Sequence, residues 1–258
     1  MRGLASGELV KARDRLRPFV EKARGFRGWS LEEVAPSRIG PGYPWDYRRR
    51  AADLIGRASA VLDMGTGGGE LFADLCRGQR GRAVATEPWL TNAPIAKSRL
   101  APLGVEVVGA HSLRLPFRND VFDLVLDRHE EMDPAEVGRV VARGGIVLTQ
   151  QVGRNDWKEV RTFFPRMQDW GPVFARYVSE FEDAGMRIER SESHDTRAAY
   201  RGLGELVYIL CVAPWMIPAF DPLGQDLRAL IQLEKNLTTN EGLVLTESRF
   251  LIEASKPS

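Results

Sequence analysis

A glycine-rich segment from Val61 to Glu70 has the residue types and spacing to hold a ligand. It reads Val-Leu-Asp-Met-Gly-Thr-Gly-Gly-Gly-Glu and joins a predicted strand to a predicted helix. Glycine permits backbone angles that other residues resist, and it lets a ligand approach the main chain without meeting a Cβ atom. The amino end of the following helix would offer unpaired N–H groups to that ligand. For this segment alone, a tight structural turn is the alternative.

An acidic residue on the next predicted strand favours the ligand-binding interpretation. The loop is spaced as Asp63-x-Gly65-x-Gly67-x-Gly69, which differs from the G-x-G-x-x-G of dinucleotide-binding proteins. Glu87 closes the second predicted strand, 24 residues after Asp63. A carboxylate there can accept hydrogen bonds from both ribose hydroxyls, although Glu87 alone could be a surface acid. Together, the loop and the acid favour a cofactor that carries a nucleoside.

Alternating short apolar strands and amphipathic helices place this loop in a sheet. Strands are predicted at 60–64, 82–87, 105–108, 121–127, 145–152, 186–192 and 250–254, and helices at 70–76, 93–103 and 134–142. This alternation is typical of a mainly parallel sheet with helices on both faces. Ligands of such sheets bind beyond the carboxyl ends of the strands, where the glycine loop and Glu87 are expected.

Four motifs, in this order, resemble those of the class I S-adenosylmethionine-dependent methyltransferases. They are the Asp63 to Gly69 loop, Thr86-Glu87-Pro88-Trp89, Leu115-Pro116-Phe117 with Val121 to Leu126, and Arg143-Gly144-Gly145. The resemblance covers about residues 59–194 and 248–258. It implies a methyltransferase that uses S-adenosylmethionine and has an α/β, Rossmann-like fold. The implied sheet has seven strands in the order 3-2-1-4-5-7-6 and is mainly parallel, with strand seven antiparallel.

The resemblance also implies which residues contact the cofactor. The loop would wrap the methionine and ribose part, Glu87 would hold the ribose, and Pro88 and Trp89 would pack near the adenine. Many members have an aspartate that accepts a hydrogen bond from the adenine; this sequence has His111, a weaker acceptor or a solvent-facing residue. Ser112 and Leu113 could supply backbone contacts instead. The predicted cofactor contacts are Asp63, Gly65, Thr66, Gly67, Gly69, Glu87, Pro88, Trp89, His111, Ser112, Leu113 and Arg128.

Residues after the fourth and fifth strands are candidates for the acceptor chemistry. Methyl transfer from a sulfonium is an in-line displacement, so the protein mainly positions the acceptor and, for a hydroxyl, removes a proton. His129 is the predicted catalytic base, because the ordinary pKa of histidine suits proton transfer near neutrality. The alternative is that His129 buttresses the cofactor loop. Arg128 could orient an anionic group or pair with Glu130 or Glu131.

Several other chemistries lack their residues in this sequence. No Asn/Asp-Pro-Pro-aromatic tetrapeptide follows the fourth strand, which argues against amino methylation of nucleic-acid bases by the enzymes that use it. No Pro-Cys dipeptide is present, so covalent attack on a pyrimidine ring is not expected. The three histidines, His111, His129 and His194, are widely separated, so no metal site is predicted.

Two additions to the sheet are expected to select the acceptor. The first is an N-terminal helical arm at 1–57. The second is a helical insertion at 195–247, which precedes the last strand and caps the acceptor site of a methyltransferase domain at 58–258. The predicted substrate contacts are Tyr43, Trp45, Gln150 and Trp215. Tyr43 and Trp45 could instead anchor the arm, and the apolar stretch around Trp215 could be a packing helix.

The formal charge of +1 for the 258 residues conceals a basic amino-terminal region. Residues 1–50 hold 12 Lys and Arg against 6 Asp and Glu, and the remainder holds 24 against 29. The Arg48 to Arg50 run leaves methylation of RNA open as an alternative, since arginines can meet phosphates. A solvated helix face is the more common meaning of such a run. A hydrophobic content of 43% excludes a disordered chain.

Composition also bears on the compartment. The longest uncharged apolar run, at 206–220, has 15 residues and is shorter than the roughly 20 that a membrane span needs. The first residues lack the apolar stretch of a secretory signal, and two cysteines cannot form a disulfide framework. We therefore expect a cytoplasmic methyltransferase with a small, partly apolar acceptor. RNA methylation and a non-catalytic module that binds S-adenosylmethionine are the alternatives.

Overall fold

Nine strands form one sheet in the described residues, 6–79 and 81–258, of this computed structural model. The strands are β1 (Ser37–Ile39), β2 (Ala60–Met64), β3 (Arg82–Thr86), β4 (Glu106–Val108), β5 (Phe122–Arg128), β6 (Val141–Val152), β7 (Arg187–Tyr200), β8 (Thr238–Thr239) and β9 (Gly242–Ser255). The α-helices are α1 (Ser6–Arg24), α2 (Tyr47–Ile55), α3 (Glu70–Leu75), α4 (Ala93–Leu100), α5 (Pro134–Val140), α6 (Lys158–Phe163), α7 (Val173–Asp183), α8 (Leu203–Val212) and α9 (Leu227–Leu237).

The strand order is β1-β7-β9-β6-β5-β2-β3-β4, with β8 paired to β9. Strands β2 to β6 pair in parallel, and β9 runs antiparallel to both β6 and β7. The predicted α/β, Rossmann-like, mainly parallel sheet with an antiparallel strand is confirmed. The predicted count of seven strands is wrong, because β1 and β8 are additional. Three and two residues, respectively, are too few to show an alternating apolar pattern.

Helices cover both faces of the sheet. Leu124 and Leu126 of β5 pack with residues of α2, α3 and α4 on one face. Val125, between them, packs with residues of α5 and α7 on the other face. This alternation follows from the two-residue period of a strand. It assigns the residues that follow along β5 and β6 to alternate faces as well.

The amino-terminal arm and the late insertion pack on each other. Helix α1 buries Ala12 and Leu16 in a cluster that also holds Leu206 and Leu210 of α8 and Leu230 of α9. The apolar residues of α8 are therefore used for packing against the arm. Pro18 lies inside α1, yet the helix continues to its end at Arg24.

The last two long strands extend beyond the carboxyl end of β6. Pairing of β6 with β9 ends at Val152↔Arg249, whereas pairing of β7 with β9 continues to Tyr200↔Leu243. Six residues at each end of the predicted insertion, 195–200 and 242–247, are thus strand, and α8 and α9 lie between them. The charged and polar residues from Glu189 to Arg197 give β7 no apolar alternation, so the sequence pattern did not predict its continuation to Tyr200. Among the residues described, no helix combines the length and apolar character required to cross a bilayer.

Candidate active site

The glycine loop connects β2 to α3 at the carboxyl edge of the sheet. Gly65, Gly67 and Gly69 have φ angles of 61°, 63° and 76°, in the left-handed region that favours glycine. The backbone N–H of Thr66 donates to the carbonyl of Thr86 at 2.9 Å and fastens the loop to the end of β3. Each glycine of the motif is therefore used for its conformational freedom.

Side chains from outside the loop lie directly against two of these glycines. A Cβ atom at Gly65 would lie 2.6 Å from Cβ of Glu130, and one at Gly67 would lie 2.7 Å from Cβ of Trp29. Glu130 follows β5, and Trp29 belongs to the arm. These side chains press against the loop from the arm and from the loop after β5, so any added Cβ would collide with them. We call the main chain of residues 65–69 the cradle.

Glu87 is fastened beside the loop by two main-chain donors. It is 2% exposed, and its carboxylate accepts from Gly67 N at 2.7 Å and from Trp89 N at 2.9 Å. Burial raises the pKa of Glu87, and these two hydrogen bonds oppose that shift. Each carboxylate oxygen has a further lone pair, so Glu87 can still accept hydrogen bonds from a ligand.

Carboxylates surround the cradle. Burial raises the pKa of Asp63 to about 7, against the positive charge of Arg128, which lowers it. Burial, with the charges of Glu87 and Glu131, raises the pKa of Glu130 to about 7. Burial likewise raises the pKa of Asp127 well above its usual value. A positively charged ligand would favour the ionised form of these groups.

The predicted adenine contacts lie on two loops. Pro88 and Trp89 follow β3, and the Trp89 side chain is 52% exposed. His111, Ser112 and Leu113 follow β4; His111 and Leu113 are exposed, whereas Ser112 is buried. The Ser112 hydroxyl has no hydrogen-bond partner among the described residues. A buried hydroxyl in that state suits a ligand that supplies the missing partner.

His129 follows β5, and its main chain is fixed by the neighbouring strand. Its φ is 69°, and its N–H donates to the carbonyl of Gln150 at 2.9 Å. Burial lowers the pKa of His129 well below its usual value, and the charges of Arg249 and Arg128 lower it further. The imidazole is therefore neutral near pH 7. Its role as a catalytic base stays a prediction, and the lowered pKa makes it a weak base.

Trp45 and Gln150, two of the predicted substrate contacts, are buried and bonded to each other. Trp45 Nε1 donates to Gln150 Oε1 at 2.8 Å. Gln150 Nε2 lies 3.3 Å from Nε2 of His129. The fold thus brings the arm, β6 and the residue after β5 into one hydrogen-bonded group.

The other two predicted substrate contacts lie in different surroundings. Tyr43 stacks on Trp45, with ring centroids 5.4 Å apart, and so belongs to the group around Gln150. Trp215 stacks on Trp29 at 5.8 Å and lies 5.8 Å from the ring of Trp89. Trp215 is therefore brought together with residues beside the glycine loop.

Arg128 is exposed at the end of β5. Within the described part of the chain its side chain makes no hydrogen bond or ion pair, so the anticipated pairing with Glu130 or Glu131 is not formed. It lies on the strand that carries Leu124 and Leu126, and it pairs in register with Gln150 of β6. Its guanidinium is available to a ligand.

Sequence reasoning missed two residues of the site. Asp127 is fully buried, and its Oδ1 accepts from Gln151 Nε2 at 2.6 Å. Trp29 reaches Gly67 from the arm, as described above. Asp127 had a signal in its position at a strand end, whereas nothing in the spacing of Trp29 relates it to the loop.

Over residues 6–79 and 81–258, no three His, Cys, Asp or Glu side chains are grouped to hold a metal ion.

Residues 62–149 match the family described as a methyltransferase domain. Among solved structures, the chain is similar to a protein from Bacillus halodurans C-125 proposed to be a methyltransferase, with a TM-score of 0.57 and 17% identity over 81% of this chain and 100% of that one. A functionally unknown protein from Deinococcus radiodurans R1 gives a TM-score of 0.62 at 16% identity, over 95% and 99% of the two chains.

A geranyl diphosphate methyltransferase in complex with S-adenosylmethionine gives a TM-score of 0.51 at 14% identity, over 86% of this chain and 97% of that one. Among curated proteins, none matches this sequence. At identities of 14–17%, the similarity to these solved structures shows a shared fold and nothing finer. The methyltransferase-domain match spans the glycine loop, Glu87 and His129.

Proposed function

We propose that this chain, whose residues 62–149 match a methyltransferase domain, is a class I S-adenosylmethionine-dependent methyltransferase, as its motifs predicted, and that it methylates a small, partly apolar molecule. The observation that carries the proposal is the cradle of left-handed glycines beside the buried carboxylate of Glu87. It fits a ligand that combines a ribose with a positively charged group. S-adenosylmethionine is such a ligand, and when bound it supplies an activated methyl group on its sulfonium.

In this proposal, different residues of the chain contact different parts of the cofactor. The main chain of Gly65 to Gly69 meets the methionine and ribose part, and Glu87 accepts from the ribose hydroxyls. Trp89 lies against the adenine, and the buried Ser112 hydroxyl finds its hydrogen-bond partner there. The carboxylates around the loop favour the positive charge of the sulfonium.

A small acceptor is favoured by the elements that flank the ends of β5 and β6. Trp45 and Tyr43 of the arm lie on one side of these ends. The extension of β7 and β9, with α8 and α9, continues beyond the end of β6. Aromatic and polar side chains gathered at strand ends are typical of small-molecule binding. We assign the acceptor position to the space beside His129 and Arg128.

RNA is the less favoured acceptor, because two of the three consecutive arginines are engaged within the protein. Arg50 Nε donates to Glu253 at 2.8 Å. Arg48 pairs with Asp74 at 3.2 Å. Phosphate binding would have to break these contacts or rely on other cations.

Cys76 and Cys211 are both free, and the cytoplasmic location expected from the cysteine content stays a prediction.

The experiment is a calorimetric titration with demethylated cofactor, followed by a screen for methyl transfer. We expect the wild-type chain to bind and the Glu87→Ala variant to lose most of that affinity. Glu106→Ala, an exposed acid on β4, is the control and is expected to bind like wild type. The screen measures formation of demethylated cofactor with a panel of small molecules and with mixed RNA at two salt concentrations.

The outcomes separate the alternatives. Turnover with a small molecule supports the proposal, whereas turnover only with RNA, weakening steeply with salt, replaces it with RNA methylation. Cofactor binding without turnover on any acceptor indicates a binding module. No cofactor binding by the wild-type chain would overturn the assignment of the glycine cradle.

A further inference from the structure

The hydrogen-bonded group of Trp45, Gln150 and His129 has a fixed direction. An indole N–H can donate but cannot accept. The atom of Gln150 that faces Trp45 Nε1 at 2.8 Å is therefore the amide oxygen. The amide nitrogen consequently faces Nε2 of His129, at 3.3 Å.

This direction determines which nitrogen of His129 carries the proton. An amide NH2 group only donates, so Nε2 of His129 must accept. A neutral imidazole has one protonated nitrogen, which must then be Nδ1. The ring is neutral, since burial holds the pKa of His129 well below its usual value. The only in-plane lone pair of the ring is thus already occupied by Gln150.

Packing keeps the group in this arrangement. Trp45 is 9% exposed and Gln150 is 7% exposed. Tyr43 stacks on the indole of Trp45 with an interplanar angle of 18°. Reversing the Gln150 amide would place two donors against each other in buried surroundings, and a buried unpaired donor is costly. Nδ1 of His129 makes no hydrogen bond within the described part of the chain, so its N–H is available to a ligand.

We propose that Trp45 and Gln150 are positioning residues that hold His129 in the Nδ1–H tautomer, so that His129 donates a hydrogen bond to the methyl acceptor and does not remove its proton. The proposal rests on the acceptor position assigned above. It implies an acceptor that places an oxygen or nitrogen lone pair beside His129, such as a carbonyl or carboxylate oxygen. Arg128, free at the end of β5, adds a second donor on this side.

The first test reads the tautomer directly, by nitrogen-15 NMR of the histidine side chains in the full chain. The sequence has three histidines, so a His129→Gln variant identifies the signals of His129. We expect an acceptor-type Nε2 and a protonated Nδ1 in the wild type. A protonated Nε2 would overturn the proposal, whether or not the chain transfers methyl groups.

The second test removes the donor that sets the direction. Trp45→Phe keeps an aromatic ring but has no N–H, so the Gln150 amide is free to reverse and the His129 tautomers should mix. Trp157→Phe is the matched control, because Trp157 is another buried indole that donates, to Tyr200 Oη at 3.1 Å. We expect this control to leave the His129 signals unchanged. A pure Nδ1–H tautomer in Trp45→Phe would show that Trp45 has no positioning role.

The third test reverses the tautomer at nearly constant shape. In Gln150→Glu the carboxylate still accepts from Trp45 but also accepts from His129, which puts a proton on Nε2. The nitrogen-15 signals of His129 in this variant establish that Nδ1 has lost its proton and that the ring is not an imidazolium. We expect turnover to fall by about tenfold, the effect of one lost hydrogen bond to the acceptor, while the affinity for demethylated cofactor stays the same. Turnover equal to or above wild type would overturn the donor role and restore His129 as a base. Failure of the proposed function differs, because no variant would then turn over.

Discussion

The two parts of the site differ in what they present to a ligand. The cradle at the end of β2 presents main chain, and the carboxylate of Glu87 beside it is itself held by backbone N–H groups. The group at the ends of β5 and β6 presents side chains, Trp45, Gln150 and His129, that orient one another. A main-chain surface fails when a side chain is added. A side-chain group fails when a donor and an acceptor are exchanged at constant shape.

The largest effect is expected where a Cβ atom is added to the cradle. Gly67→Ala places a methyl group 2.7 Å from Cβ of Trp29 at a φ of 63°. We expect the affinity for demethylated cofactor to fall by about 100-fold, which corresponds to about 3 kcal/mol. Isothermal titration calorimetry measures this change directly.

The matched control is Gly104→Ala. Gly104 has a φ of 72°, and a Cβ there would meet nothing within 4 Å. Both variants carry the backbone strain of a left-handed alanine, roughly 1 kcal/mol, but only Gly67→Ala also collides with Trp29 and displaces the main chain of the cradle. Equal cofactor affinity in the two variants would contradict a main-chain binding surface.

A smaller loss is expected from Glu87→Gln. The amide keeps the shape of the side chain, but one of its two terminal atoms becomes a donor. That atom then faces either Gly67 N or Trp89 N, which are donors too. We expect cofactor affinity to fall by about tenfold, since hydrogen bonds to a charged group contribute about 1.5–3 kcal/mol each. Glu106→Gln is the control, and an unchanged affinity in Glu87→Gln would remove Glu87 from the cofactor site.

The glycine half of the site could be predicted because its signal is local. The Asp63 to Gly69 spacing lies within seven positions, and Glu87 ends the next strand. Left-handed backbone and close approach both require glycine, so the requirement is recorded in the residue types themselves. The central strands could be predicted for a similar reason, because burial on both faces makes them continuous apolar runs.

The other half could not be predicted in detail, because its partners are far apart in the chain. Trp45 and Gln150 are 105 positions apart, and no periodicity relates them. Their contact arises because the arm packs on the same face of the sheet to which Gln150 points. Gln150 can orient His129 only because its amide oxygen accepts from the Trp45 N–H. Neither fact is expressed in spacing or composition.

The carboxylates of the cradle give a pH-dependent effect on stability. The pKa of Glu130 is about 7 in the folded chain, against an ordinary value of 4.5. Between these values the folded chain keeps a proton that the unfolded chain has released, so the contribution of Glu130 to the free energy of unfolding falls as pH rises through this window and is constant above it. Gln resembles the protonated acid.

We therefore expect Glu130→Gln to melt at a higher temperature than wild type at pH 8, with the difference shrinking towards pH 5. Differential scanning calorimetry of the two chains in matched buffers measures it. Glu106→Gln, at an exposed position, is expected to show no such dependence. A constant difference between Glu130→Gln and wild type from pH 5 to pH 8 would contradict a raised pKa at Glu130.

The smallest effect is expected at the contact between the insertion and the cradle. Trp215 stacks on Trp29 and touches the ring of Trp89, yet it is 40% exposed. Trp215→Ala should cost about 1 kcal/mol of unfolding free energy, the usual value of an aromatic pair, and should leave the His129 tautomer unchanged. Trp170→Ala removes a tryptophan that is 51% exposed and controls for loss of exposed aromatic surface. A shift in the His129 signals on Trp215→Ala would show that the two parts of the site are coupled through the insertion. The cradle and the group around Gln150 would then not be independent units.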